Sequence, residues 1–440
     1  MAEKRSPFQM IVFGIFAFLI VIAVFVFAGL SGGDGGRDIG EVKMWGTFDQ
    51  DLMDAYLRQL NDEDPQAGNI DYEEIPEDLF QSQLVEALAN GSGPDLFILD
   101  QSNLLRHWDK IAPFPYETTM SQRQFKDTFI DEGEMFLSTA GIRGMPFSVD
   151  PLVLYWNRDI FAETGFAQAP AFWDEFFLLA ERITQRDKAN NIQRATIAFG
   201  EYDNVNHAKD IISALIMQAG GDIVGKLDDD AGTLYAGLAP EGFSNRVQPA
   251  QTALRFYTEF ADPVKSVYSW NRSLPNSLDA FSQGKLAMYV GYASEVRDIQ
   301  ARNAHLNFDI APLPQIRSGE DARKLTFGTL YTLAVPKAAN NPYGGTQMAL
   351  FLSSAVPSQF FASTVGTPSP RRDLLSTTPD DPLDLIFRNA ALLSRAWLDP
   401  YAEETDKIFR RMVGDVTSGA LRLSDTIQRA NQELRVLINQ

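Results

Sequence analysis

Carboxylates, amides and aromatic rings collect where this chain leaves its strand-like segments. Trp45 stands at the end of the alternating segment 41–46 and Asp49 and Gln50 follow it, Asp100 and Ser102 follow the apolar run 95–99, and Tyr292 and Glu295 follow 286–290 where a helix begins. In open α/β sheets the loops beyond the C-terminal strand ends form the ligand crevice. Side chains of these types there engage polar groups through hydrogen bonds and apolar C–H faces through rings, which is the chemistry of holding a small polar solute. Trp270 with Asn271, Tyr331, and Trp397 with Tyr401 are further aromatic candidates. Each candidate has a structural alternative. Asp49 is placed to cap the helix behind it and Asp100 the helical turn at 102–108, Asp95 precedes a buried strand, and Trp173 packs at a helix start.

Catalysis finds little support. His107, His207 and His305 are far apart in sequence, H-E-x-x-H and G-x-S-x-G are absent, and the glycine-rich stretches lack the P-loop lysine pattern. Paired carboxylates at the roughly 5–10 Å used in glycoside hydrolysis remain open, because Asp and Glu are abundant. No cofactor or metal site is expected. Asp228-Asp229-Asp230 lacks the alternating ligands and closing glutamate of an EF-hand and reads as a hairpin turn. The chain has no cysteine, which excludes disulfides, thiolate nucleophiles and Cys-based metal sites. Its net charge of −20 disfavours nucleic acid and polyanions and leaves neutral or cationic solutes in play. A solubilising surface explains much of that charge without any partner.

The elements that would position these residues alternate. Strands read at 41–46, 69–75 and 95–99 with helices at 49–60 and from Pro76 onward, stopped by Asn90-Gly91-Ser92-Gly93. Such βαβ units imply a mostly parallel sheet. Helices follow at 171–183, 207–219, 247–260, 292–302, 342–352, 402–412 and 423–438, and strands at 153–156, 195–199, 286–290, 308–311 and 329–335. About 400 residues suffice for two domains with large cores.

At the N-terminus, residues 11–30 carry no charge, follow Lys4 and Arg5, and precede Ser31-Gly-Gly-Asp-Gly-Gly36. Twenty helical residues cover roughly 30 Å, a bilayer's hydrocarbon thickness, and the basic flank keeps that end cytoplasmic. The alternative is a signal peptide cut ahead of Gly29.

Four blocks resemble the family of bacterial extracellular solute-binding proteins serving carbohydrate ABC importers, the maltose-binding-protein-like group. They are Gly91-Ser-Gly-Pro-Asp95-Leu-Phe-Ile-Leu-Asp100; the stretch from Gly141 through Pro146, Asp150, Tyr155-Trp-Asn157 and Phe161 to Trp173-Asp-Glu-Phe176; Ala280-Phe281-Ser-Gln-Gly284-Lys-Leu-Ala-Met288 with Pro312-Leu-Pro314; and the strand and helix over 327–353. Phe172 and Met145 depart from the family pattern, and leucine stands where a lipidated cysteine belongs, so a retained helix would do the tethering.

The resemblance implies an α/β, two-lobe periplasmic-binding-protein-like fold with discontinuous lobes and an interlobe cleft, preceded by one transmembrane helix. The implied organisation is a cytoplasmic tip at 1–10, the helix at 11–30, a linker at 31–38, a first lobe of 39–148 and 328–355, and a second of 149–327 and 356–440. The chain would cross between lobes near 147–152, 327–334 and 353–359. Ligand contacts carry over onto Asp49, Gln50, Ser102, Asp150 and Trp156, and an aromatic contact onto Tyr292. Asp150 before Pro151 has a hinge turn as its structural alternative, and Trp156 a place in the core. The implied function is an extracytoplasmic, non-enzymatic sugar-binding component of an ABC importer, with permease subunits as partners. Another polar solute, such as a polyamine, peptide or amino-sugar, and a sensory or scaffold role are the alternatives.

Overall fold

The computed structural model describes residues 39–227, 232–239, 248–317, 322–379 and 381–439. The expected membrane span at 11–30 and the turn at 228–230 lie outside them. Residues 42 to 100 form the expected strand–helix alternation. Strand Val42–Gly46 pairs in parallel with Ile70–Glu74 and Leu96–Asp100, and helices Gln50–Glu63 and Glu77–Asn90 make the crossovers. The first helix starts because Asp49 accepts the Leu52 N–H at 3.0 Å. The second stops because Gly91 takes the left-handed conformation, φ 71°, that ends helices at low steric cost.

The sheet is mixed, a correction to the mostly parallel expectation. Its order runs Ile70–Glu74, Val42–Gly46, Leu96–Asp100, Thr326–Pro336, Met145–Asn157, Leu286–Tyr292, Ile192–Ile197, Gln185–Arg186. Thr326–Pro336 is antiparallel to both of its neighbours, and Leu286–Tyr292 is antiparallel to Met145–Asn157. The cause is two long strands that traverse both halves of the molecule. Met145–Asn157 has 13 residues, all buried, so it carries no alternation and only its end reads as strand from sequence.

Two cores build two lobes. Phe80, Leu84, Phe97, Leu99 and Val149 pack with Leu330 in one, while the larger takes in residues 152–156, helices Glu175–Ile183, Ala208–Gln218 and Pro249–Glu259, and the C-terminal pair Ala402–Thr417 and Leu423–Ile438. Core membership switches between Val149 and Leu152 on one long strand and between Phe327 and Leu330 on the other.

The segment after residue 355 differs from its expected place in the second lobe. Helix Ala355–Val365 packs on the first lobe, with the Phe361 ring centroid 5.1 Å from that of Tyr56 and 4.1 Å from that of Phe147. Leu375 and Ala391 also join the first core, and Phe387, Ala390 and Trp397 the second, so the chain returns through helix Pro382–Leu393 rather than near 353–359. Burying Phe361 needs the apolar face of Gln50–Glu63, which draws the helix there. Among the described residues no single helix is long and apolar enough to cross a membrane.

Candidate functional site

Where the long strands pass between the two cores, their register sets polar and aromatic side chains in a row. Tyr331 lies opposite Asp100 on one side and Ser148 on the other, and Thr329 lies opposite Asp150. Thr329 and Tyr331 share a face by the two-residue period of a strand. Tyr292, paired with Leu152 at the end of its strand, continues the row. This floor opens into a cleft of about 1330 Å³ lined from both lobes. Phe48 stands over the floor from the first lobe, its ring edge-on to Tyr331 at 4.9 Å.

A hydrogen-bond network locks the second-lobe side. The Thr329 hydroxyl donates to the Tyr292 oxygen at 3.0 Å, and Tyr292 donates to Asp210 Oδ2 at 3.0 Å. Glu295 accepts from the Tyr289 hydroxyl at 3.0 Å and the Tyr292 N–H at 2.8 Å, and contacts His207 Nε2 at 3.1 Å. Gly291 leaves room for this network, since a Cβ there would displace Glu295 Oε2 and the Tyr289 ring. His207 is left-handed at φ 59°, an arrangement costing about 1–3 kcal/mol for a non-glycine residue and found preferentially at functional sites. It packs edge-on to Tyr292 at 4.7 Å.

Charge is concentrated at this floor. Burial pushes the Asp150 carboxyl up to about 6 and also raises Asp210 and Asp399. Burial alone would lower His207, but its Glu295 hydrogen bond and the nearby carboxylates outweigh that and hold it above its usual value. On the second-lobe wall Lys209 bonds Asp399 at 2.6 Å and lies over the Trp397 ring at 5.3 Å. At the mouth, Arg106 from the first lobe pairs with Glu403 at 3.0 Å and lies 4.8 Å over Tyr401.

Of the residues singled out from sequence, Asp100, Ser102, Asp150, Tyr292, Glu295, Tyr331 and Trp397 line the cleft. Asp100 also accepts the Ser102 N–H at 2.8 Å, so capping and lining coexist. Trp45, Asp49, Gln50, Trp156 and Trp270 do not line it, nor do Asn271 and Tyr401. Trp45 packs against the first core, and Asp49 is the exposed helix cap described above. Gln50 spends its amide on Asp54 at 2.9 Å and the Tyr72 carbonyl at 3.1 Å. Trp156 is buried against Phe161, ring centroids 5.0 Å apart, and Trp270 is buried with its N–H on Asn204 at 3.1 Å. Sequence reasoning missed Phe48, His207, Asp210 and Thr329. The strand-end rule, followed past Ile192–Ile197, leads to His207 and Asp210.

The profile of the bacterial extracellular solute-binding protein family matches residues 48–356. This chain belongs to that family. Among curated relatives, two Brucella abortus proteins (strain 2308 and biovar 1 strain 9-941), each described as a binding protein, are 27% identical over 154 residues, 33% of this chain and 36% of theirs. The match thus spans about a third of the length of those relatives. Among solved structures, an ABC transporter solute-binding protein from Thermotoga lettingae bound with α-D-tagatose superposes with a TM-score of 0.69 at 18% identity, covering 91% of this chain and 100% of that one. A cyclo/maltodextrin-binding protein complexed with maltotetraose gives 0.71 at 17%, covering 93% and 99%. The sugar-binding protein MalE of Xanthomonas citri gives 0.69 at 18%, covering 91% and 97%. At these identities the likeness establishes the two-lobe fold.

Proposed function

We propose that this chain is the extracytoplasmic substrate-binding component of an ABC importer, and that it binds a saccharide in the interlobe cleft and closes on it without catalysing a reaction. One observation carries the reading: the register of four adjacent strands brings Asp100, Tyr331, Thr329, Asp150 and Tyr292 into a single row at the junction of the lobes. Rings alternate there with hydrogen-bonding groups, as a polyol with apolar C–H faces requires. The cleft volume of about 1330 Å³ exceeds the roughly 300–1,000 Å³ of ordinary small-molecule pockets, leaving room for more than one ring. The sugars in the structurally similar binding proteins support the same class.

Binding shifts the population toward a closed form that docks on permease subunits. Residues 11–30 span the membrane, and the soluble part faces outward. Intact-mass measurement of membrane-extracted protein tests that anchor: a species beginning at Gly29 and free in the medium would contradict it. For binding, full-length protein is screened by thermal shift against saccharides, amines and peptides. A ligand at 100 times its dissociation constant adds about 2.7 kcal/mol. A shift with saccharides supports the proposal, and shifts confined to the other classes overturn it.

A further inference from the structure

His207 belongs to the cleft floor and His305 is exposed, but His107 lies fully buried in the first lobe. It ends helix Leu104–His107, just beyond the floor residue Asp100, and packs edge-on to Phe97 with ring centroids 6.2 Å apart. Its ring has one polar partner among the described residues. Gln81 Oε1 stands 2.5 Å from His107 Nε2, while Nδ1 is unpaired. Burial, with Lys110 and Arg106 nearby, pushes His107 down to about 4, so the ring is neutral at physiological pH.

A neutral imidazole carries a single N–H, and the hydrogen bonds of its two nitrogens decide which one bears it. A proton on Nδ1 would bury an N–H with no acceptor, the rarest kind of unsatisfied group in folded proteins. The proton therefore lies on Nε2 and is donated to Gln81 Oε1. That bond also orients Gln81. Helix Glu77–Asn90 carries this residue onto the first-lobe wall of the cleft, and with its oxygen held by His107 the planar amide presents Nε2, which finds no acceptor among the described residues. The other carboxamides of that wall are differently disposed. Gln101 turns its nitrogen to the Gly328 carbonyl at 3.3 Å and Asn103 turns its own to Asp100 at 2.9 Å, while Glu77 and Asp78 offer carboxyl oxygens.

We infer that Gln81 is a specificity-determining residue of the cleft, its amide N–H donating to an acceptor oxygen of the bound saccharide, and that His107 is the positioning residue that keeps this amide from turning over. This rests on the saccharide-binding reading above and deepens it. An amide free to turn presents oxygen as readily as nitrogen. Oxygen there would add another acceptor to Glu77 and Asp78 and take the donor away.

The test is a double-mutant cycle on full-length protein, read by titration calorimetry with whichever of D-tagatose, maltotriose and mannotriose binds the wild type most tightly. Gln81→Leu is expected to raise the dissociation constant about three- to tenfold, the worth of one hydrogen bond. His107→Leu is expected to raise it about twofold or more in the wild-type background and to leave it unchanged in the Gln81→Leu background, because the histidine acts through that amide. Circular dichroism confirms the folding of each variant, and should the core reject leucine, His107→Phe closes the same cycle. A histidine that only supports the lobe would weaken binding by the same factor in both backgrounds. That result, or an unchanged dissociation constant in either single variant, would overturn the inference and leave the saccharide reading standing. Binding of none of the three sugars by the wild type would overturn both.

Discussion

Replacing Asp150 by asparagine isolates the cost of holding a charge at the cleft floor. Burial raises this carboxyl from 3.8 to about 6. The folded state therefore binds the proton more tightly than the unfolded chain, so stability falls as pH rises from about 4 to 6 and the full penalty remains above 6. Roughly two units at about 1.4 kcal/mol each bound the cost near 3 kcal/mol, and a realised value of about 1–3 kcal/mol is expected. Asparagine keeps an oxygen for the Ser294 N–H, so that backbone hydrogen bond survives removal of the charge. Ligand-free Asp150→Asn should be more stable than wild type by that amount at pH 7.5, a rise in Tm of a few degrees, and indistinguishable from it at pH 4. Differential scanning calorimetry of both full-length proteins at pH 4, 5.5 and 7.5 reads the effect. A variant less stable at pH 7.5, or a gain equally large at pH 4, would refute the reasoning.

Glu132 extends the same logic. It is buried, its Oε1 has no partner among the described residues, and burial pushes it up to about 8, so Glu132→Gln should stabilise the protein at pH 8.5 and lose that gain below about pH 4.5 in the same calorimetric series. Tyr331→Ala should weaken saccharide binding by about 1–3 kcal/mol in titration calorimetry, whereas Tyr331→Phe, which keeps the ring, should cost under 1 kcal/mol. The pairing of Arg106 with Glu403 at 3.0 Å is partly exposed, so Arg106→Ala should raise the dissociation constant only about two- to fivefold, an effect that 0.5 M salt should erase.

The elements with strong punctuation were readable from sequence. The helices at 342–352 and 423–438 begin and end where the structure has them, because Pro342 opens the one and a clear apolar face marks the other. The cleft was half readable, for a physical reason. A residue type at a strand end announces capacity for a contact, while packing decides which way the side chain is used. Asp49 and Asp100 both follow strands and both cap turns, yet only Asp100 stands opposite Tyr331 in the register that builds the floor. Trp156 and Trp270 are as aromatic as Trp397, but the first sits within a strand buried along its whole length, and the second is held inside the second lobe by Asn204. Thr329 becomes a floor residue only through pairing with a strand about 180 positions earlier, a relation that local spacing does not contain.

Closure on a saccharide is the central claim, and the distance between the lobes reports it directly. The chain has no cysteine, so spin labels go only where they are placed. Glu86→Cys on first-lobe helix Glu77–Asn90 and Lys407→Cys on second-lobe helix Ala402–Thr417 put labels at exposed sites on either side of the cleft. In double electron–electron resonance, the saccharide giving the largest thermal shift should move the distance distribution to shorter values and narrow it. An unchanged distribution at a saccharide concentration that calorimetry shows to be saturating would contradict the account.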